Sequence, residues 1–149
     1  MSVLEIRVRN DLAEIAGVAE TVERFLGEAG ADDAVVFRVN LCLDELLTNV
    51  ISYGFQDDDE HHIDLRLAVA DGILRIELED DARAFNPLDV PPPDLDSGLE
   101  VREIGGLGIH FVRETMDRVA YRRAGDRNLL TMQRGLVEPA GKDDGKGGG

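Results

Sequence analysis

Two strictly alternating apolar rows, Ile63, Leu65, Leu67, Val69 and Leu74, Ile76, Leu78, stand on either side of Asp71-Gly72. Period-two alternation buries one face of an extended chain, and Asp-Gly is a strong signal for a two-residue turn. The pattern predicts an antiparallel hairpin with one face in the core. Leu4, Ile6 and Val8 alternate in the same way near the start, which adds a further half-buried strand. Parity carries a consequence at the end of the second row. The next residue facing the core after Leu78 is Asp80, so a carboxylate is aimed inward. An inward carboxylate needs a partner. It either caps a helix or pairs with an arginine, or it accepts from a ligand such as the exocyclic amine of adenine. Asp81, of opposite parity, faces solvent.

Helical spacing occupies the stretches between strands. Leu12, Ile15, Ala19, Val22 and Leu26 recur every three or four residues, opened by Asp11 and Glu14 in capping-box spacing and closed by Gly27 and Gly30. Val36, Val39, Leu43, Leu46, Leu47 and Val50 make a second helical stripe from about Asp33 to Tyr53, stopped by Gly54. A third helix is expected from about Leu107 to Met116, and Val119 to Arg123 with Asn128 to Arg134 form a last hairpin around Gly125-Asp126. From Phe85 to Gly105 periodicity is lost and Pro87, Pro91, Pro92 and Pro93 exclude a helix interior or central strand. A loop of that length is expected to be functional or mobile. The Gly, Lys and Asp run from Gly141 to Gly149 can bury nothing and is expected to be disordered.

Composition excludes several functions. A chain of 149 residues suits one compact domain, and a net charge of −15 disfavours nucleic acid or an anionic membrane as the main partner. No run approaches the roughly 20 apolar residues of a membrane span, and no basic start precedes an apolar segment. The single Cys42, in an apolar helical stretch, reads as a small core residue and fits a reducing cytoplasm. Residues 1 to 141 contain no lysine, which removes Walker A, protein-kinase strand-lysine and Schiff-base designs. His61, His62 and Asp64 lack matched ligands elsewhere and read as a solvated turn.

On the second helix Glu45 and Asn49 lie four apart and project from one face. A carboxylate able to take a proton thus sits beside an amide oxygen able to ligate a hard cation, a pairing suited to magnesium nucleotides. Gly105, Gly106 and Gly108, at the start of the third helix, form either a simple turn or a close backbone approach to phosphate at free N–H groups.

The chain as a whole resembles the anti-sigma factor serine/threonine kinases, small relatives of the GHKL (histidine kinase-like) ATPases. The segment Leu43 to Phe55 resembles their N box, Ile76 to Ala82 their first glycine box, and Gly105-Gly106-Leu107-Gly108-Ile109 through Val119 their second. The resemblance covers residues 1 to about 135, with 136 to 149 as a flexible tail. It implies a two-layer α/β sandwich, a mixed and mostly antiparallel sheet with helices on one face, and binding of ATP or ADP with magnesium. By the same resemblance Glu45 is the general base, Asn49 the magnesium ligand and Asp80 the adenine acceptor. Ala82, Gly105, Gly106, Leu107 and Gly108 complete the nucleotide site, and the loop between the boxes is an ATP lid that Arg83 and Arg102 flank. His110 reads as structural.

The implied partners are a sigma factor and an antagonist protein phosphorylated on serine, without direct nucleic acid or membrane contact, in a family that often forms homodimers. Two features depart from the family pattern: Ala82 stands at a motif glycine, and the late-strand threonine of the adenine pocket has no clear counterpart, because Asn128 or Leu129 falls there and Thr131 is offset. Two alternatives remain at this stage. One is a noncatalytic switch in which nucleotide orders the lid, and the other is an ATPase module serving a separate histidine phosphotransfer partner.

Overall fold

The computed structural model describes residues 1–89 and 106–139. The loop beyond Asp89 expected to be a lid, with Arg102 and Gly105, and the Gly-rich run from Gly141 lie outside them. Strand β1 (Ser2–Arg9) leads through a short 3-10 turn into α1 (Ile15–Glu28), and α2 (Asp33–Asn49) follows. Then come β2 (His62–Ala70), β3 (Ile73–Asp80), α3 (Gly106–Thr115), β4 (Arg118–Ala124) and β5 (Arg127–Gly135). The five strands make one sheet in the order β1-β2-β3-β5-β4.

Every pairing in that sheet is antiparallel. The segment after β3 crosses over through α3 and returns to the sheet edge as β4, which leaves a gap that β5 fills between β3 and β4. No parallel pair arises among the described residues. The two hairpin turns differ as their residues dictate. Asp71 and Gly72 both have positive φ (55° and 76°), as a type I′ turn requires, whereas the Gly125-Asp126 turn needs only Gly125 at φ 62°.

All three helices lie on one face. Ile63, Leu65, Leu67, Leu74, Ile76 and Leu78 are buried against them in a single core with residues of α1, α2 and α3. The helix α2 is central and contacts both α1 and α3. The opposite face of the sheet carries charge: Arg66 lies near Glu5 and Glu77, and Arg127 bonds Glu79 at 2.7 Å. Such exposed pairs contribute at most about 1 kcal/mol each; the buried apolar rows hold the fold.

Three local features differ from the sequence expectation. The expected capping box is half formed and serves the 3-10 turn ahead of α1: Asp11 Oδ1 accepts from the Ala13 N–H, whereas Glu14 turns back to Arg9 at 3.2 Å and leaves α1 without a side-chain cap. The charged guanidinium at the end of β1 outcompetes a backbone amide for that carboxylate. The second helix passes at Asn49 into a π-helical turn, Val50–Gly54, a geometry that often marks functional sites. Past residue 135 the chain folds back onto the start of α2: the Asp32 N–H donates to Leu136 O, and Asp32 Oδ2 accepts from the Glu138 N–H. No helix among the described residues is long and apolar enough to cross a membrane.

Candidate functional site

The π-helical turn, the end of β3 and the start of β5 converge on one cavity of about 130 Å³. That is near the roughly 150 Å³ of an apolar cavity that admits a benzene ring. Its apolar wall includes Leu46, Val50, Leu78, Ile109 and Leu130, with Tyr53 and Phe85 among the lining aromatics. Polar lining comes from Asn49, Asp80, Arg83, Tyr121 and Asn128. A mostly apolar slot with few polar groups is the usual character of a small-molecule site.

Asp80 is 3% exposed and points inward, as strand parity requires. Its Oδ1 accepts from the Ala82 N–H at 3.0 Å and from Asn128 Nδ2 at 2.9 Å. Burial pushes this carboxyl above the usual aspartate range, against the opposing pull of those two bonds. No arginine pairs with it among the described residues. Asn49 lines the same cavity from α2, and its Nδ2 is buried without a hydrogen-bond partner among the described residues. Such an orphaned polar atom in a cavity wall is unusual enough to point to a ligand.

Glu45, one turn before Asn49, does not line the cavity. It meets the first turn of α3 instead: a Cβ placed on Gly108 would lie 2.3 Å from Glu45 Oε2. The carboxylate therefore sits against bare backbone, beside the helix end where free N–H groups gather. Burial, and secondarily Asp44, raises its pKa. Gly106 begins α3 and Leu107 follows in its first turn. His110 faces Glu114 at 4.0 Å on α3, and Arg83 lines the cavity while largely exposed. His61 bonds Asp57 at 2.7 Å and lies 3.3 Å from Asp81; no metal-binding cluster is present among the described residues.

Ala82 also lines the cavity, and the room for its methyl comes from an unexpected quarter. A Cβ on Gly54 would lie 2.8 Å from Ala82 Cβ, and the Arg83 N–H donates to Gly54 O at 3.0 Å. The glycine that ends the π-helical turn thus makes space for the alanine after β3. Gly54→Ala is expected to cost about 1–3 kcal/mol by overpacking, and adding Ala82→Gly should recover most of it. Thermal melts of both single variants and the double variant check this, and strictly additive losses would contradict it.

A family model of the histidine kinase-like ATPase domain matches residues 8–134. The chain belongs to that family. Among the curated relatives of this histidine kinase-like ATPase, serine/threonine-protein kinase BtrW of Bordetella bronchiseptica is 29% identical over 96 residues, 64% of this chain and 68% of that protein. Serine-protein kinase RsbW of Listeria monocytogenes is 22% identical over 95 residues, which is 61% of this chain and 60% of RsbW, so under two thirds of RsbW is matched.

Among solved structures, one of the RsbU and RsbW domains of a Mycobacterium tuberculosis protein superposes with a TM-score of 0.66 at 18% identity. The match covers 94% of this chain and 34% of that one. A histidine kinase domain from Erythrobacter litoralis gives 0.53 at 22% identity over 84% of this chain and 60% of that one. These superpositions establish the two-layer histidine kinase-like ATPase fold.

Within that fold, Asn49, Asp80 and Ala82 share one cavity, and Glu45 and Gly108 touch nearby. Asn128 is the register partner of Asp80 and lines the cavity, whereas Thr131 pairs with Glu77 and faces outward. Tyr53, Phe85 and Tyr121 also line the cavity without having been singled out from sequence. Of these, Tyr121 was accessible through parity once the Gly125-Asp126 turn fixed the register of β4 and β5.

Proposed function

We propose that this chain is an ATP-dependent serine/threonine kinase of the anti-sigma type, which binds a sigma factor and phosphorylates a serine on an antagonist protein. The observation that carries this is the inward Asp80, buried, unpaired by any described arginine, and facing an apolar slot of aromatic-ring size. A charged carboxylate held that way is costly unless a ligand uses it, and an adenine amine suits it.

The fit for magnesium rests on the amide oxygen of Asn49, a hard donor carried into the cavity wall from α2. Asn49 would hold the ion, which when bound supplies neutralisation of phosphate charge. The amides at the start of α3, at Gly106, Leu107 and Gly108, face the phosphates on this proposal; Gly105 belongs to the same motif. In the transfer, the serine oxygen attacks the γ-phosphorus and the bond to the β,γ-bridging oxygen breaks. ADP leaves with that electron pair, and the serine proton passes to the Glu45 carboxylate. Little covalent chemistry is demanded beyond positioning and one base. Burial raises the Glu45 pKa, which strengthens it as a proton acceptor.

Ala82 at a motif glycine does not favour the noncatalytic alternative, because Gly54 leaves space for its methyl. The test is transfer of labelled γ-phosphate to a small antagonist domain bearing an exposed serine. Serine labelling supports the kinase; binding of ATP and partner with no transfer overturns it in favour of a switch. Gly108→Ala offers a second check. Its methyl collides with the Glu45 side chain from Cγ to Oε2, which must swing out of place, so transfer by the folded variant should fall about tenfold or more. Unchanged transfer in that variant would detach Glu45 from the chemistry.

A further inference from the structure

Asn128 has both ends of its amide committed. Its Nδ2 donates to Asp80 Oδ1 at 2.9 Å and toward Arg83 O and Ala82 O at 3.0 and 3.2 Å. Its Oδ1 accepts from Tyr121 Oη and from Arg123 Nη1. Acceptors surround the nitrogen and donors the oxygen, so the amide orientation is fixed by its partners. Arg123 Nη1 also donates to Ala82 O at 2.9 Å, which ties the β4-β5 hairpin to the segment after Asp80. The consequence for Asp80 lies in counting lone pairs. Oδ1 accepts two hydrogen bonds, from Ala82 and Asn128, and is saturated. No donor among the described residues reaches Oδ2.

Resting on the nucleotide reading above, we infer that Asn128 sets the base selectivity of the site. By saturating one oxygen of Asp80 it leaves the carboxylate a single acceptor for the cavity. The exocyclic amine of adenine needs one acceptor there. Guanine offers its N1–H and N2–H side by side, and a carboxylate with both oxygens free accepts the pair. With Oδ1 occupied that two-point grip is denied, and the O6 carbonyl of guanine meets a carboxylate oxygen with no proton between them. Asn128 is thus a positioning residue that acts through Asp80, and its effect falls on the choice of base rather than on phosphate binding.

The test is displacement of a fluorescent ADP analogue by ADP and by GDP, with magnesium, from the full chain. Wild type, Asn128→Leu, Asn128→Ala and Asn128→Thr are compared, with circular dichroism and melting to confirm folding. The wild type should favour ADP over GDP by about 100-fold or more, and Asn128→Leu or Asn128→Ala should shrink that ratio about tenfold, since a freed oxygen is worth that much in discrimination. Threonine restores a hydroxyl donor and should hold the ratio within about threefold of wild type. A folded Leu or Ala variant in which ADP and GDP weaken equally overturns the inference and makes Asn128 purely structural. The alanine variant, which cannot clash, supplies the readout if leucine fails to fold. Wild type binding neither nucleotide would overturn the nucleotide proposal itself, a result distinct from an unchanged ratio.

Discussion

Glu45→Gln is expected to lower phosphotransfer by about 10²-fold or more, the usual scale for losing a general base, while nucleotide affinity stays close to wild type. The geometry separates the two effects. Glu45 does not line the cavity that holds Asn49 and Asp80, and it sits instead against the backbone of Gly108 at the start of α3. Glutamine keeps the shape of that contact and removes only the basic oxygen. The pH profile provides a second readout. Burial raises the Glu45 pKa, and only the ionised form accepts the serine proton. Activity should therefore fall, as pH is lowered, at a higher pH than an ordinary glutamate would give. Single-turnover transfer measured against pH checks both points, and normal transfer by the glutamine variant would remove Glu45 from the reaction.

Asp80→Asn is expected to weaken ATP binding on the order of 10²-fold, the scale of a hydrogen bond to a buried charge together with an amine now facing an amine. The same change should stabilise the fold without ligand. Burial raises the Asp80 pKa in the folded protein, so the native state binds this proton more tightly than the unfolded chain does. The ionised carboxylate therefore costs stability at pH above its folded pKa, and that cost fades as pH falls toward the ordinary aspartate value. Asparagine can still accept from Ala82 and Asn128 without the charge. Its melting temperature should exceed that of wild type at neutral pH, with the gap closing in acid. A lower melting temperature at neutral pH would mean that the charge itself holds the segment after β3. Affinity gained by lost stability is the pattern expected where a site keeps a strained group for function.

What the sequence disclosed follows the reach of its periodicities. Strand parity placed Asp80 inward because a period of two leaves no freedom once Leu74, Ile76 and Leu78 are assigned to the core. The Asp71-Gly72 turn was legible because both residues tolerate positive φ. Helical spacing found α2 but not its passage into the π-helical turn at Val50, since Val50 extends the apolar stripe equally well in either geometry over so short a span. The capping box at Asp11 was only half formed, because no local pattern announces that Arg9, across the turn, competes for Glu14.

Contacts between elements were the least accessible. Gly54 reads locally as a helix stop and Gly108 as part of a phosphate loop. In the folded protein each is also a space, taken by Ala82 and by Glu45. Asn128 shows the same limit. Its side chain could be assigned to the pocket only when the pairing of Asp80 with Asn128 fixed which residues of β5 face inward and turned Thr131 outward.

The proposal that this chain uses Asp80 to read an adenine nucleotide is tested most directly by calorimetric titration of folded wild type and Asp80→Asn with ATP in the presence of magnesium. Saturable binding to the wild type, reduced on the order of 10²-fold in the variant, is the result expected. Equal affinity in the two proteins, or no binding to the wild type, would contradict it.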